Sequence, residues 1–113
     1  MTLVSTSHLP NDCCAVTIRI PRIGEIAIVS IYIPPHSSFH TYTFSYFLHH
    51  FSHVIMMGDF NVHHPNINDN EATTNLIGRQ LNAAINLFPL QIQNRNGSPH
   101  QVTSIYRANR CWI

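Results

Sequence analysis

The residues best suited to chemistry follow a short apolar segment, residues 54–57, near the middle of the chain. Gly58, Asp59 and Asn61 come directly after this segment. We predict that residues 54–57 form a buried strand, which would place the acid and the amide where open α/β sheets bind their ligands. Asp59 and Asn61 are two residues apart, so in an extended segment their side chains would point to the same side.

A carboxylate and an amide in this arrangement suit the hydrolysis of a phosphodiester. The Asp59 carboxylate can take a proton from water or help to bind a hard cation. The Asn61 amide can orient that carboxylate or hydrogen-bond a phosphate oxygen. Gly58 allows the backbone to turn sharply beside them. The structural alternative is an ordinary turn in which Asp59 caps local backbone N–H groups, and the short motif alone leaves both interpretations open.

The elements that must position this motif follow a mixed α/β pattern. Val16, Ile18 and Ile20 alternate with Thr17 and Arg19, which is typical of a strand with one solvent-facing side. Apolar residues at helical spacing predict two helices. The predicted elements are strands at residues 13–20, 25–33, 54–57, 90–93 and 101–106, a turn at Asn96-Gly97, and helices at residues 39–51 and 74–88. We expect one α/β domain with helices covering a sheet.

Composition excludes several classes of protein. The chain has 113 residues with a net charge of +1, and only 10% of its residues are charged. A protein that binds nucleic acid mainly by neutralising phosphates would be more basic. No apolar run approaches the roughly 20 residues that cross a bilayer, so we expect no membrane partner. Three cysteines, two of them adjacent, favour a reducing, intracellular compartment over a disulfide framework.

Four segments, taken in order, resemble the endonuclease/exonuclease/phosphatase family. The pair His63-His64 is similar to one branch, the endonuclease domain of jockey-like non-LTR retrotransposons. The resemblance covers residues 12–110, and we assign residues 12–113 to an incomplete domain of this family and residues 1–11 to a non-family leader or irregular segment. The matching segments are residues 30–35 (Ser-Ile-Tyr-Ile-Pro-Pro), 58–61 (Gly-Asp-Phe-Asn), 78–81 (Gly-Arg-Gln-Leu) and 94–99, which include Asn-Gly-Ser-Pro.

The resemblance implies a fold, an activity and roles for individual residues. The implied fold is a partial four-layered α/β sandwich, truncated at both ends. The implied activity is Mg²⁺-dependent nicking of target DNA, which primes synthesis by the reverse transcriptase domain of the same element and requires access to the nucleus. By position, Asp59 would activate or orient water, Asn61 would position that acid or the scissile phosphate, and Tyr32 would contact the phosphate side. His63 and His64 would lie on the substrate side.

Several residues of the family pattern are missing from this chain. The early Asn and the metal-binding Glu belong before residue 12, and a late Asp and a terminal Asp-His pair belong beyond its end. The metal site is therefore incomplete within this chain, and a single carboxylate binds Mg²⁺ poorly. We expect the isolated chain to be inactive. The alternative is a non-catalytic relic of a mobile element, or a small binding or assembly module.

Histidines and aromatic residues offer two further hypotheses. His49 and His53, like His36 and His40, have the i, i+4 spacing of zinc ligands on a helix. Because no additional ligands converge on them, we favour solvent-facing or interface histidines over a zinc site. The aromatic run at residues 39–51 could be a platform for stacking bases. Because no Lys or Arg lies among these aromatic residues, we favour packing in the core.

Overall fold

A computed structural model describes residues 1–67 and 72–88 together with the backbone of residues 91–92 and 102–108. The described strands form one mixed sheet in the order β1-β2-β3-β4-β6-β5. The elements are β1 (Thr2–Val4), β2 (Asp12–Ile20), β3 (Gly24–Tyr32), α1 (Thr41–His50), β4 (His53–Asp59), α2 (Leu76–Leu87), β5 (Gln91–Ile92) and β6 (Val102–Ala108). The predicted α/β class and the order of the predicted elements are confirmed. The predicted turn at Asn96-Gly97 lies outside the described residues.

Strands β2 and β3 form the predicted hairpin, with antiparallel pairing from Asp12 opposite Tyr32 to Ile20 opposite Gly24. The connecting turn contains Arg22 at φ 73°, and Gly24, the first residue of β3, has a φ of 103°. Two prolines follow β3, and α1 then carries the chain across to β4. This crossover makes β3 and β4 parallel, whereas the other neighbouring strands pair in antiparallel fashion.

Both helices contribute to a core on one face of the sheet. Alternate residues of β3, Ala27, Val29 and Ile31, are buried in the same cluster as Phe44 of α1 and Leu81 of α2. The prediction that the aromatic run packs in the core is confirmed for its buried members, which are Phe39, Phe44 and Phe47. The described part of the chain therefore consists of a layer of helices on a sheet.

The opposite face of the sheet is apolar but partly open. On β2 the residues facing the helices include Thr17, which is buried, whereas Val16 and Ile18 lie on the other face and are partly exposed. The predicted solvent-facing side of this strand was therefore wrong for Thr17. Small and β-branched residues fit beneath the helices, so alternation alone could not identify the inward face. A shallow groove of about 150 Å³ on the open face includes Ile28 and Met57 in its lining.

The first eleven residues pack against the sheet. Strand β1 pairs with β2, with Thr2 opposite Thr17. The buried Asn11 side chain accepts hydrogen bonds from the His40 backbone N–H at 3.0 Å and the Thr43 hydroxyl at 2.9 Å. Its amide nitrogen also donates to the carbonyl oxygen of Ser38 at 3.0 Å. Sequence patterning predicted no strand in this segment, because β1 is short and depends on its pairing with β2.

The helices match their predicted positions within two residues at each end. Helix α1 begins after His40, and helix α2 begins after Asn75, whose side chain caps it. The Gln80 side-chain oxygen accepts a hydrogen bond from the Phe39 backbone N–H at 2.6 Å, which connects α2 to the segment before α1. Among the described residues, the helices are too short to cross a membrane.

Candidate active site

Tyr32 and Asp59 meet at one edge of the sheet. They are the last residues of the parallel strands β3 and β4, and they are partners in the register. A further hydrogen bond, from the Ile33 N–H to the Asp59 carbonyl oxygen at 3.0 Å, extends the pairing beyond the strands. Because directly opposed residues in a sheet project from the same face, the two side chains share a face. Tyr32 is 46% exposed, so its ring is accessible to a ligand at this edge.

Gly58 fixes the path of the backbone immediately before Asp59. Its φ of 150° lies in a region that residues with a Cβ rarely adopt. A Cβ at this position would overlap the carbonyl oxygen of Ile31 on β3. The predicted role of this glycine is confirmed, and the reason is the close approach of the neighbouring strand.

Asn61 contacts Asp59 through its backbone. The Asn61 N–H donates to Asp59 Oδ1 at 3.1 Å, whereas Asn61 Nδ2 donates to the carbonyl oxygen of Ile33 at 2.7 Å. Asn61 has a φ of 49° and is only 5% exposed. The expectation of an extended segment was therefore wrong at this residue, because Asn61 adopts the left-handed conformation that asparagine tolerates.

The Asp59 carboxylate has one structural contact and one available oxygen. Oδ1 accepts a hydrogen bond from the Asn61 N–H. This is the local capping turn that the sequence analysis gave as the alternative to a catalytic role. Oδ2 makes no hydrogen bond to the residues that the structure describes, and Asp59 is partly exposed. The turn therefore orients the carboxylate and leaves an oxygen that can accept a proton or bind a cation. The structural and chemical interpretations are compatible.

Asn75 joins helix α2 to the loop that follows β4. Its Oδ1 accepts from the Gly78 N–H at 2.8 Å and from the His63 N–H at 3.0 Å. Its Nδ2 donates to the carbonyl oxygen of Asn61 at 2.8 Å, and its own N–H donates to the carbonyl oxygen of His63 at 3.1 Å. Sequence reasoning missed this residue, although an asparagine just before a helical apolar stripe is a preferred N-cap.

A cleft of about 440 Å³ lies beside Asn61. The turn after β3 contributes His36 and Ser37 to its lining, and the loop after β4 contributes Asn61 and His63. Asn75 and the first two residues of α2, Leu76 and Ile77, complete the lining with Pro35. The sequence analysis considered His36 only in a zinc pair with His40 and did not place it beside Asn61. The available signal was the prolines before it, because a turn with proline at its second position often needs a positive φ at the third.

The histidines do not form a metal centre in the described part of the chain. His49 lies in α1, whereas His53 lies in β4, so they do not share a helical face. His36 and His40 both precede α1. His64 Nδ1 accepts a hydrogen bond from the Asn66 N–H at 3.0 Å, within its own loop. The zinc hypothesis, which the sequence did not favour, therefore finds no support in the described residues.

The residues at this edge do not complete a magnesium site by themselves. Among residues 1–67 and 72–88, the structure shows no group of three or more His, Cys, Asp or Glu that could hold a metal ion. Asp59 supplies one carboxylate, and Asn61, whose backbone N–H donates to that carboxylate, adds one amide oxygen. Mg²⁺ requires six oxygen ligands in near-octahedral geometry, with anchoring acids. The donor set is therefore too small to anchor Mg²⁺.

Comparison with known protein families gives a match to the endonuclease-reverse transcriptase family over residues 26–113. The chain belongs to this family. The match supports a retrotransposon endonuclease domain of the endonuclease/exonuclease/phosphatase type, as the sequence resemblance indicated. It includes Tyr32, Asp59 and Asn61, and it begins within β3, after β1 and β2. Searches against curated proteins and against solved structures gave no match.

Proposed function

We propose that this endonuclease-reverse transcriptase family chain is part of a DNA-nicking enzyme of a jockey-like mobile element. The reaction is hydrolysis of a DNA phosphodiester, which leaves a 3′ end for the reverse transcriptase domain of the same element. The observation that carries the proposal is the placement of Asp59 at the carboxyl end of β4, beside Tyr32 and next to a cleft that contains Asn61. Ligand sites of α/β sheets lie at this end of the strands.

Contacts support the proposed roles of Asp59 and Asn61, whereas the roles of Tyr32, His63 and His64 come from the family resemblance. Asp59 acts as the acid that activates or orients the attacking water, since Oδ2 is available while Oδ1 is held. Asn61 positions this carboxylate through its backbone N–H. One Asn61 amide hydrogen is used by the carbonyl oxygen of Ile33, so the side chain also anchors the loop to β3. The exposed Tyr32 faces the phosphate, and His63 and His64 lie on the substrate side.

The proposed enzyme needs more than the described residues. Mg²⁺ is the proposed cofactor, and its anchoring carboxylates would come from outside residues 1–67 and 72–88. DNA is the proposed substrate, and a working element would need access to the nucleus. The open apolar face, with Val16, Ile18, Ile28 and Met57 partly exposed, supports a second sheet packed against it in a four-layered sandwich. We therefore propose that the isolated 113-residue chain is inactive.

A supercoiled-plasmid assay on a longer product of the element tests the catalytic role. We expect Asp59→Ala to abolish the conversion of supercoiled to open-circular DNA in Mg²⁺, because the carboxylate that activates or orients the attacking water is lost. The circular dichroism spectrum of the variant should match that of the parent protein. Glu25→Ala is the matched control, since Glu25 is an exposed acid at the opposite end of β3. Normal nicking by Asp59→Ala would refute the assignment.

A second candidate function is a non-catalytic binding or assembly module. It is favoured by the incomplete metal site in the described residues and by the open apolar sheet face. The plasmid assay on the 113-residue chain separates it from a self-sufficient nuclease. Mg²⁺-dependent nicking by this chain, abolished by Asp59→Ala, would exclude the non-catalytic candidate and the proposed inactivity of the isolated chain.

A further inference from the structure

Asn61 has a backbone conformation that its surroundings must hold. Its φ of 49° lies in the left-handed region, which asparagine tolerates better than most residues but does not prefer. In this conformation the Asn61 N–H donates to Asp59 Oδ1, only two residues earlier in the chain. Phe60 and Val62 on either side of Asn61 are buried, so the chain is fixed before and after it. A change in the Asn61 backbone would therefore move its N–H away from the carboxylate.

Two amide contacts hold Asn61 in this conformation. Its side-chain Nδ2 donates to the carbonyl oxygen of Ile33 at 2.7 Å, just after β3. Its own carbonyl oxygen accepts from Nδ2 of Asn75 at 2.8 Å, just before α2. The first contact uses the Asn61 side chain, whereas the second acts on its main chain from a residue 14 positions away. Asn75 thus contacts the main chain of the residue whose N–H binds Asp59.

The start of α2 keeps Asn75 itself in place. Its Oδ1 accepts from the Gly78 N–H at 2.8 Å, and its carbonyl oxygen accepts from the Arg79 N–H at 3.0 Å. The oxygen of the Asn75 amide therefore caps the helix, while the nitrogen of the same amide holds Asn61. Aspartate or serine at this position would keep an N-cap acceptor. Aspartate has no donor, and the serine hydroxyl is one bond shorter than the amide, so neither replaces the contact with Asn61.

We propose that Asn75 is a positioning residue for the Asp59 carboxylate and acts through the main chain of Asn61. This inference rests on the proposed endonuclease function. In this role Asn75 touches neither the attacking water nor the phosphodiester. Its amide keeps Asn61 in the conformation whose N–H binds Asp59 Oδ1, and this bond in turn fixes the direction of Oδ2. The start of α2 thereby sets the geometry of an acid that lies on β4.

Hydrogen exchange of the Asn61 N–H, followed by NMR in the 113-residue chain, tests this link without catalysis. We expect Asn75→Asp to accelerate the exchange about fivefold, because local opening of the loop no longer breaks a hydrogen bond to the Asn61 carbonyl. Asn75→Ser should have the same effect, which would exclude the added charge as its cause. Exchange of the Gly78 N–H should stay within about twofold of the parent, because both variants keep the helix cap.

Two further variants calibrate the exchange measurement. Asp59→Ala removes the acceptor of the Asn61 N–H, so it should accelerate exchange of this N–H at least as much as Asn75→Asp does. Asn86→Asp is the matched control, since it makes the same change from amide to carboxylate at an exposed position near the other end of α2. It should leave exchange of the Asn61 N–H at the parent rate.

Steady-state nicking by the longer product of the element separates positioning from folding. We expect kcat of Asn75→Asp and Asn75→Ser to fall about tenfold, because a misplaced catalytic group slows the reacting step, while KM for plasmid DNA stays within about twofold. Circular dichroism at the assay temperature gives the folded fraction, to which kcat is normalised. A purely structural role for Asn75 would leave the normalised kcat at the parent value.

Two results would overturn the role of Asn75. One is unchanged exchange of the Asn61 N–H in both Asn75 variants, and the other is a normalised kcat equal to that of the parent despite faster exchange. Failure of the proposed endonuclease function has a different signature, which is normal nicking by Asp59→Ala. Faster exchange in the Asn75 variants would in that case still support the link through which Asn75 orients Asp59.

Discussion

Gly78 lies in the first turn of α2, where the helix touches the loop that carries the candidate site. A Cβ at this position would lie 2.9 Å from the carbonyl carbon of His63 and would overlap its oxygen. At an exposed helical position, Gly→Ala stabilises a protein by up to about 1 kcal/mol. We expect the opposite sign here, because the methyl group can be accommodated only if the loop and the helix move apart.

The magnitude follows from the contacts that would be disturbed. Overpacking costs about 1–3 kcal/mol. Separation would also weaken two hydrogen bonds between His63 and Asn75, of 3.0 and 3.1 Å, each worth about 1 kcal/mol. After the gain in helix propensity is subtracted, Gly78→Ala should destabilise the chain by about 2–4 kcal/mol.

Urea unfolding followed by circular dichroism provides the measurement, with the free energy of unfolding extrapolated to water. The matched control is Asn86→Ala, at an exposed position of the same helix, which should stabilise the chain by up to about 0.7 kcal/mol. If Gly78→Ala proved as stable as the parent or more stable, the close contact between α2 and His63 would be refuted.

Three further changes test other parts of the structure. Gly58→Ala should cost roughly 3–5 kcal/mol in urea unfolding, because it combines an unfavourable φ with overlap of the Ile31 carbonyl. Asn11→Ala should cost about 2–4 kcal/mol in the same assay, since two donors at the start of α1 lose their acceptor. Burial, followed by nearby acidic groups, raises the pKa of the Cys13 thiol, so at pH 8 this thiol should be less ionised than in an unfolded chain. In a background without the third cysteine, Cys13 should react with a thiol reagent more slowly than exposed Cys14, and equal rates would contradict its burial.

Patterns within single segments predicted most of the fold. The period of two in Asp12–Ile20, and the prolines after the following strand, were sufficient to predict the hairpin. The apolar stripe of Leu76–Leu87 predicted α2 because its buried residues, among them Ile77 and Leu81, repeat at helical spacing. These patterns lie within single segments, so they predict a strand or a helix without knowledge of which elements pack together. Strand β1 was missed because it is defined by its partner.

The candidate site was predictable in composition but not in geometry. Asp59 was placed correctly at the end of a strand, since an apolar run followed by glycine and an acid indicates that position. The left-handed conformation of Asn61 was not predictable, because it depends on anchoring by the Ile33 carbonyl 28 residues earlier in the chain. Asn75 was missed for a similar reason, as its contacts with Asn61 and His63 form only when α2 docks on the loop.

Neutral amides hold the segments around both helix starts in the described part of the chain. The Asn11 and Asn75 side chains each donate and accept hydrogen bonds, so one side chain can join two segments that a carboxylate or an ammonium group would not join alone. The Asn61 side chain donates one hydrogen bond, to the carbonyl oxygen of Ile33. This choice suits a chain in which only 10% of residues are charged. The amide contacts of the loop after β4 do not depend on ionisation, whereas Asp59 Oδ1 accepts from the Asn61 N–H and Asp59 Oδ2 stays available to a cation or a water molecule.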